Sequence, residues 1–264
     1  MQNRRRRAGD RRTPRLPFLY RPTIRRVLGF WMVFLFQTIT RQRLSRVARA
    51  RIGRRSPVTI AGIIHIPAAG NFVIALNHYG GASVFDLLAW TMDAVRQDRP
   101  DTADRWLLIV GQRERKAPTR IARLVAWVID LVFSRWSEHT ARIRLGNEAV
   151  SIRALRDWRG GAARQPVLVF PEGRAALQLA SVRPGAGRWL AALGAPVIPV
   201  GIWCKDGLPQ MQIGAPINWT HRSELRDAQL GLAIADLLPP DLAPRWQSAL
   251  RRWKQMGAAP GGPV

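Results

Sequence analysis

Two short runs hold the residues best suited to chemistry. One is Asn77-His78, followed by Tyr79, the pair Gly80-Gly81, Ser83 and then Asp86; the other is Phe170-Pro171-Glu172-Gly173-Arg174. Histidine suits proton abstraction near neutral pH, because an unperturbed pKa of ~6.5 leaves neutral imidazole available. A guanidinium fork suits a phosphate monoester, since it donates to two oxygens at once. Glycine beside such groups allows close backbone approach.

Both runs need strands to place them. Phe72 to Leu76 and Val167 to Phe170 are apolar, β-rich runs of strand length, stopped by Asn77-His78 and by Pro171-Glu172-Gly173. Further strands are expected at Val58 to Ile66, Leu107 to Val110 and Val197 to Trp203. Helices are expected at Val84 to Arg96, Thr119 to Ile129 and Arg142 to Trp158. This alternation predicts an α/β fold, a mixed sheet covered by helices. In open α/β sheets, sites form at strand ends of this kind. Past Trp203, a turn at Lys205-Asp206-Gly207 leads to a short strand around Met211. Two helices, near Ser223 to Leu238 and Ala243 to Met256, are separated by Pro239-Pro240.

Taken in order, four blocks are similar to those of the glycerolipid acyltransferase family, the enzymes that acylate glycerol phosphate or lysophosphatidate. They are Asn77-His78, Val132-Phe133-Ser134-Arg135, Phe170-Pro171-Glu172-Gly173-Arg174 and Val197-Ile198-Pro199-Val200. Two departures stand out. Ser83 occupies the position of the family's aspartate, with Asp86 the nearest carboxylate, and Arg174 arrives one residue early. The resemblance spans about half the chain.

This resemblance implies transfer of an acyl group from acyl-CoA or acyl carrier protein to the free hydroxyl of lysophosphatidate or a related lysolipid, with no acyl-enzyme. Acyl transfer needs a base for the hydroxyl and stabilisation of an oxyanion. His78 takes the base role, and Asp86 or Ser83 orients it. Ser83 to Asp86 also reads as a capping box opening the helix from Val84. Arg135 and Arg174 resemble the family's phosphate-binding arginines, with Glu172 and Gly173 shaping the same wall. Arg113, Arg115 and Lys116 are equally compatible with a donor-facing or a solvated basic run. No metal or tightly bound cofactor is implied.

The 264 residues carry 42 Lys and Arg against 17 Asp and Glu, a net charge of +25. Such a balance calls for a polyanionic partner. Eleven tryptophans tilt the expectation toward anionic membrane lipid and away from nucleic acid. A hydrophobic content of 47% excludes global disorder. The single cysteine, Cys204, excludes a disulfide framework and a cysteine-cluster metal site.

Residues 1–15 read as a disordered basic arm and 257–264 as a disordered tail. Between them, 16–55 form a membrane-associating helical segment and 56–256 the catalytic domain. The apolar run Val27 to Ile39 reaches about 20 Å as a helix, short of the ~30 Å hydrocarbon core. Beside it, Leu44, Val47, Ala48 and Ile52 recur at helical spacing among arginines, the pattern of an in-plane helix on anionic lipid. The expectation is a monotopic protein on the cytoplasmic face. The rival reading is a non-catalytic basic protein that retains this fold and binds anionic lipid or nucleic acid.

Overall fold

The computed structural model describes residues 58–82, 84–102, 106–113, 140–145 and 166–255. Ser83, Arg115, Lys116 and Arg135 lie outside them. So do the expected basic arm, the membrane-associating segment, the helix Thr119 to Ile129 and the tail.

Seven described strands form one mixed sheet. They are β1 (Thr59–Ala61), β2 (Val73–Leu76), β3 (Leu107–Arg113), β4 (Thr140–Leu145), β5 (Val167–Val169), β6 (Val197–Lys205) and β7 (Leu208–Ile213). Their spatial order is β1-β7-β6-β2-β5-β3-β4. The centre is parallel, with Val73 paired to Val167 of β5 and to Val197 of β6. Among the described strands, only the β6–β7 pair is antiparallel. It turns on Asp206 and Gly207, both at positive φ, as a two-residue hairpin loop requires.

Burial on both faces explains why the central strands are continuous apolar runs. On one face, Phe72, Ile74, Leu76, Leu168, Ile198 and Val200 pack against Leu87, Leu88, Trp90 and Val95 of helix α1 (Val84–Asp98). On the other, Val73, Ala75, Val167, Val169 and Val197 meet Leu190 of α2 (Ala186–Ala191) and Leu230 and Ile234 of α3 (Arg226–Ala235). The strand period of two sorts β2 between these layers. Each such aliphatic side chain contributes roughly 1.5–3 kcal/mol when fully buried. Helix α4 (Gln247–Gln255) adds Leu250 and Trp253 against Leu232 of α3.

Two expectations are corrected. The strand foreseen at Val58 to Ile66 ends at Ala61. Gly62 turns left-handed at φ 77° and comes so close to the Ile213 carbonyl that a Cβ would not fit, and Ile63–His65 form a 3-10 turn. The helix expected from Arg142 begins instead as strand β4, six of whose residues pair with β3. Ala141, Ile143 and Leu145 alternate with Arg142 and Arg144, the strand period, and a neighbouring ladder was available to take it. Residues 146–158 of that expected helix are outside the description. Helix α2, not foreseen, is held by the Asp227 carboxylate, which accepts from the Gly185 N–H at 2.6 Å and the Gly187 N–H at 2.7 Å. These are donors at a helix start with no intrahelical partner.

Candidate active site

Parallel pairing of β2 with β5 brings both chemical runs to one edge of the sheet. Asn77 directly follows β2, and its side chain extends the ladder. Its Nδ2 donates to the Ile202 carbonyl at 2.9 Å and its Oδ1 accepts the Ile202 N–H at 2.7 Å. A carboxamide can mimic a peptide group in this way because it carries the same donor and acceptor. The next residue, His78, is thereby delivered at a fixed height above the sheet.

The loops beyond the two strands then zip together. Ala176 N–H donates to the His78 carbonyl at 3.0 Å, Gly80 N–H to the Ala176 carbonyl at 2.6 Å, and Tyr79 forms a parallel bridge with Ala176. Glu172 is the strap. Its Oε1 accepts the His78 N–H at 3.0 Å and its Oε2 the Ala180 N–H at 3.1 Å. Burial raises its pKa, against which the amides of Ala180 and His78 and the charge of Arg174 act. These contacts compensate a buried carboxylate, which otherwise would be costly.

The His78 ring stacks on Phe170, with centroids 4.4 Å apart and planes 29° from parallel. Its Nδ1 is buried and has no hydrogen-bond partner among the described residues. Burial lowers the imidazole pKa below its ordinary 6.5, so His78 is neutral at pH 7. With Nδ1 enclosed and the ring half-buried, Nε2 is the nitrogen left to receive a proton.

Asp86 lies buried on the first turn of α1. Its charge reaches Cys204, whose thiol pKa is raised first by burial and second by that carboxylate. Gly173 sits at φ 66°, in the left-handed region, and Arg174 beside it is exposed. Among the described residues, no group of three or more His, Cys, Asp and Glu side chains is arranged to hold a metal ion.

The acyltransferase family profile matches residues 57–203, more than half of the chain, and takes in Asn77, His78, Asp86, Phe170, Glu172 and Gly173. The chain belongs to the acyltransferase family. Against solved structures, the acyltransferase is similar to the 1-acyl-sn-glycerophosphate (LPA) acyltransferase PlsC of Thermotoga maritima. That likeness has 18% identity and a TM-score of 0.42, over 81% of this chain and 96% of that one. No curated relative matches the sequence.

Of the residues expected at the acyltransferase site, His78, Glu172, Gly173 and Arg174 share one loop pair. Asp86 follows that pair on α1. Phe170 and Ala180 also act here without having been assigned a part. Phe170 is a π surface for His78, and Ala180 supplies the second amide to Glu172. The stacking had a signal, an aromatic just past β5 and a histidine just past the neighbouring strand β2. A backbone amide leaves no trace in residue type.

Proposed function

We propose that this acyltransferase moves a fatty acyl group from acyl-CoA or acyl carrier protein to the free hydroxyl of lysophosphatidate or a related lysolipid, in phospholipid synthesis at a membrane surface. One observation carries the reading: a neutral imidazole, His78, standing at a strand end in a family whose reaction needs a base. His78 Nε2 takes the acceptor's hydroxyl proton as that oxygen attacks the thioester carbonyl. The tetrahedral intermediate expels the thiolate, which recovers the proton from His78. General-base assistance of this kind contributes roughly 10²–10⁴-fold.

Asp86 or Ser83 orients His78 in this scheme and stabilises its transient imidazolium; among the described residues His78 Nδ1 has no hydrogen-bond partner. Arg174, with Arg135, binds the phosphate of the acceptor, and Gly173 and Glu172 form the wall below it. The polybasic, apolar amino-terminal segment holds the enzyme on anionic lipid as a monotopic protein of the cytoplasmic face.

The test is formation of phosphatidate from lysophosphatidate and labelled acyl-CoA by the purified full chain, beside His78→Ala. Turnover by the wild type and none by the folded variant supports the reading. The unpartnered Nδ1 and the displaced aspartate favour a second reading, a non-catalytic lipid- or nucleic-acid-binding protein on the same fold. Tight binding of anionic vesicles or nucleic acid without turnover on any acceptor would establish it.

A further inference from the structure

Two turns meet at Tyr79, the residue directly after His78. The Tyr79 N–H donates to the Asn77 carbonyl at 3.0 Å, which closes a three-residue turn with His78 at its apex. The Tyr79 carbonyl accepts the Ala82 N–H at 3.4 Å, so Gly80 and Gly81 are folded back before α1 begins at Val84. Glycine is required in that fold because the Tyr79 side chain lies against it. A Cβ on Gly81 would stand 2.5 Å from the ring carbons Cε1 and Cζ and 2.6 Å from the hydroxyl oxygen. The residue that closes both turns therefore also packs its ring against one of them.

The far end of the side chain is fixed as well. Asn77 takes the N–H and carbonyl of Ile202, and Cys204 lies two residues further along β6, so its amide leaves the same edge of that strand. There the Cys204 backbone hydrogen-bonds the Tyr79 hydroxyl. Two side chains thus continue the contact between β2 and β6 past the end of β2, one on either side of His78 in sequence. Cys204 also feels the charge of Asp86. Tyr79 and Asp86 are in this way registered against one residue of β6. Tyr79 itself is buried in the layer that α1 covers, where a hydroxyl without a partner would be costly.

We propose that Tyr79 is a positioning residue for His78, fixing the loop from His78 to Asp86 through its ring on Gly81 and its hydroxyl on β6. Its part in the reaction rests on the acyl-transfer reading above. Tyr79 moves no proton and meets no substrate, since its hydroxyl is engaged by Cys204 and its ring by Gly81. The loop it fixes is the one in which Asp86 comes three residues after Ser83, the position of the family's aspartate. A longer loop between base and carboxylate has more conformations to restrict, and a ring held at both ends restricts them.

Full-length wild type, Tyr79→Phe, Tyr79→Leu and Gly81→Ala would be compared in acyl transfer from acyl-CoA to lysophosphatidate, in thermal unfolding and in NMR spectra of the histidine rings. The chain has four histidines, and His78→Ala identifies the His78 signals. Tyr79→Phe keeps the ring and removes only its anchor on β6. In that variant kcat should fall by about tenfold or more, because a base slightly out of place slows the chemical step. KM for both substrates should hardly move, since neither touches Tyr79. The His78 ring signals should shift while those of His65, His139 and His221 stay in place. Tyr79→Leu should be more severe, and Gly81→Ala, which displaces the ring, should reproduce the defect with the hydroxyl still present. In a wild type that turns over, unaltered kcat in folded Tyr79→Phe overturns the proposal and leaves acyl transfer standing. His78 signals that do not move in Tyr79→Phe also overturn it, even if kcat falls, because the loss then comes from elsewhere in the fold. Tyr79-dependent His78 signals in a wild type that transfers no acyl group keep the positioning role and remove the acyl-transfer reading.

Discussion

His78 differs from a free imidazole in two respects, a ring face covered by Phe170 and an enclosed Nδ1. Protonation would place charge where little solvates it, which is why burial depresses the pKa below 6.5. The base should therefore stay neutral as pH falls through 6.5, and the acid limb of kcat/KM should have its midpoint below that value. A pH–rate profile with its limb above 6.5 would remove His78 as the titrating base. Stability follows the same sign: the His78 contribution is complete above 6.5 and is lost as pH falls through the depressed value. Glu172 works in the opposite sense. Its carboxyl is raised, so its contribution is present below 4.5 and lost as pH rises through the folded value. Asp86→Asn separates the two duties of that residue. An electrostatic role predicts more than about a tenfold fall in kcat, equivalent to one pKa unit of differential stabilisation. A capping role predicts activity preserved and at most ~1 kcal/mol lost in thermal unfolding.

At the scale of elements, the site is a seam between two strand ends, and Glu172 closes it. Glu172→Gln keeps shape but turns one acceptor into a donor, so either the His78 or the Ala180 amide faces an NH₂ group. Leaving such a buried donor unpaired costs roughly 1–3 kcal/mol. Urea unfolding should register that loss, and kcat should drop with it because the His78 backbone is one of the two dependents. Equal stability with equal activity would show that the strap is dispensable. The strands feeding the seam were legible because β2, β5 and β6 are buried on both faces and read as unbroken apolar runs. The outermost described strand on that side, β4, was not, since its alternating arginines fit a helix start as well as a strand until the β3 ladder is known. Helix α2 depends on Asp227, 40 residues from the Gly187 amide it accepts. No local pattern announces a cap supplied from that distance. The histidine and glutamate of the site stood out by motif.

At the scale of the molecule, the open question is what answers a net charge of +25. None of the described helices is long and apolar enough to cross a membrane. The run Val27 to Ile39 lies outside the described residues, and its sequence supports a dip into one leaflet. Two forces would then act together. Burial of Phe30, Trp31, Phe34 and Phe36 is insensitive to salt, whereas each arginine near an anionic surface contributes about 1 kcal/mol that ionic strength screens. A purely electrostatic attachment would be reversed by raising salt alone. Leaflet insertion predicts that full-length protein on anionic vesicles survives a wash at about 1 M salt, where the Debye length is near 3 Å, and comes off only in detergent. Added protease should cut on both flanks of the apolar run from the outer side of the vesicle, because neither flank crosses. Complete release by salt would leave the basic residues as the whole attachment. Protection of one flank would mean that the segment spans.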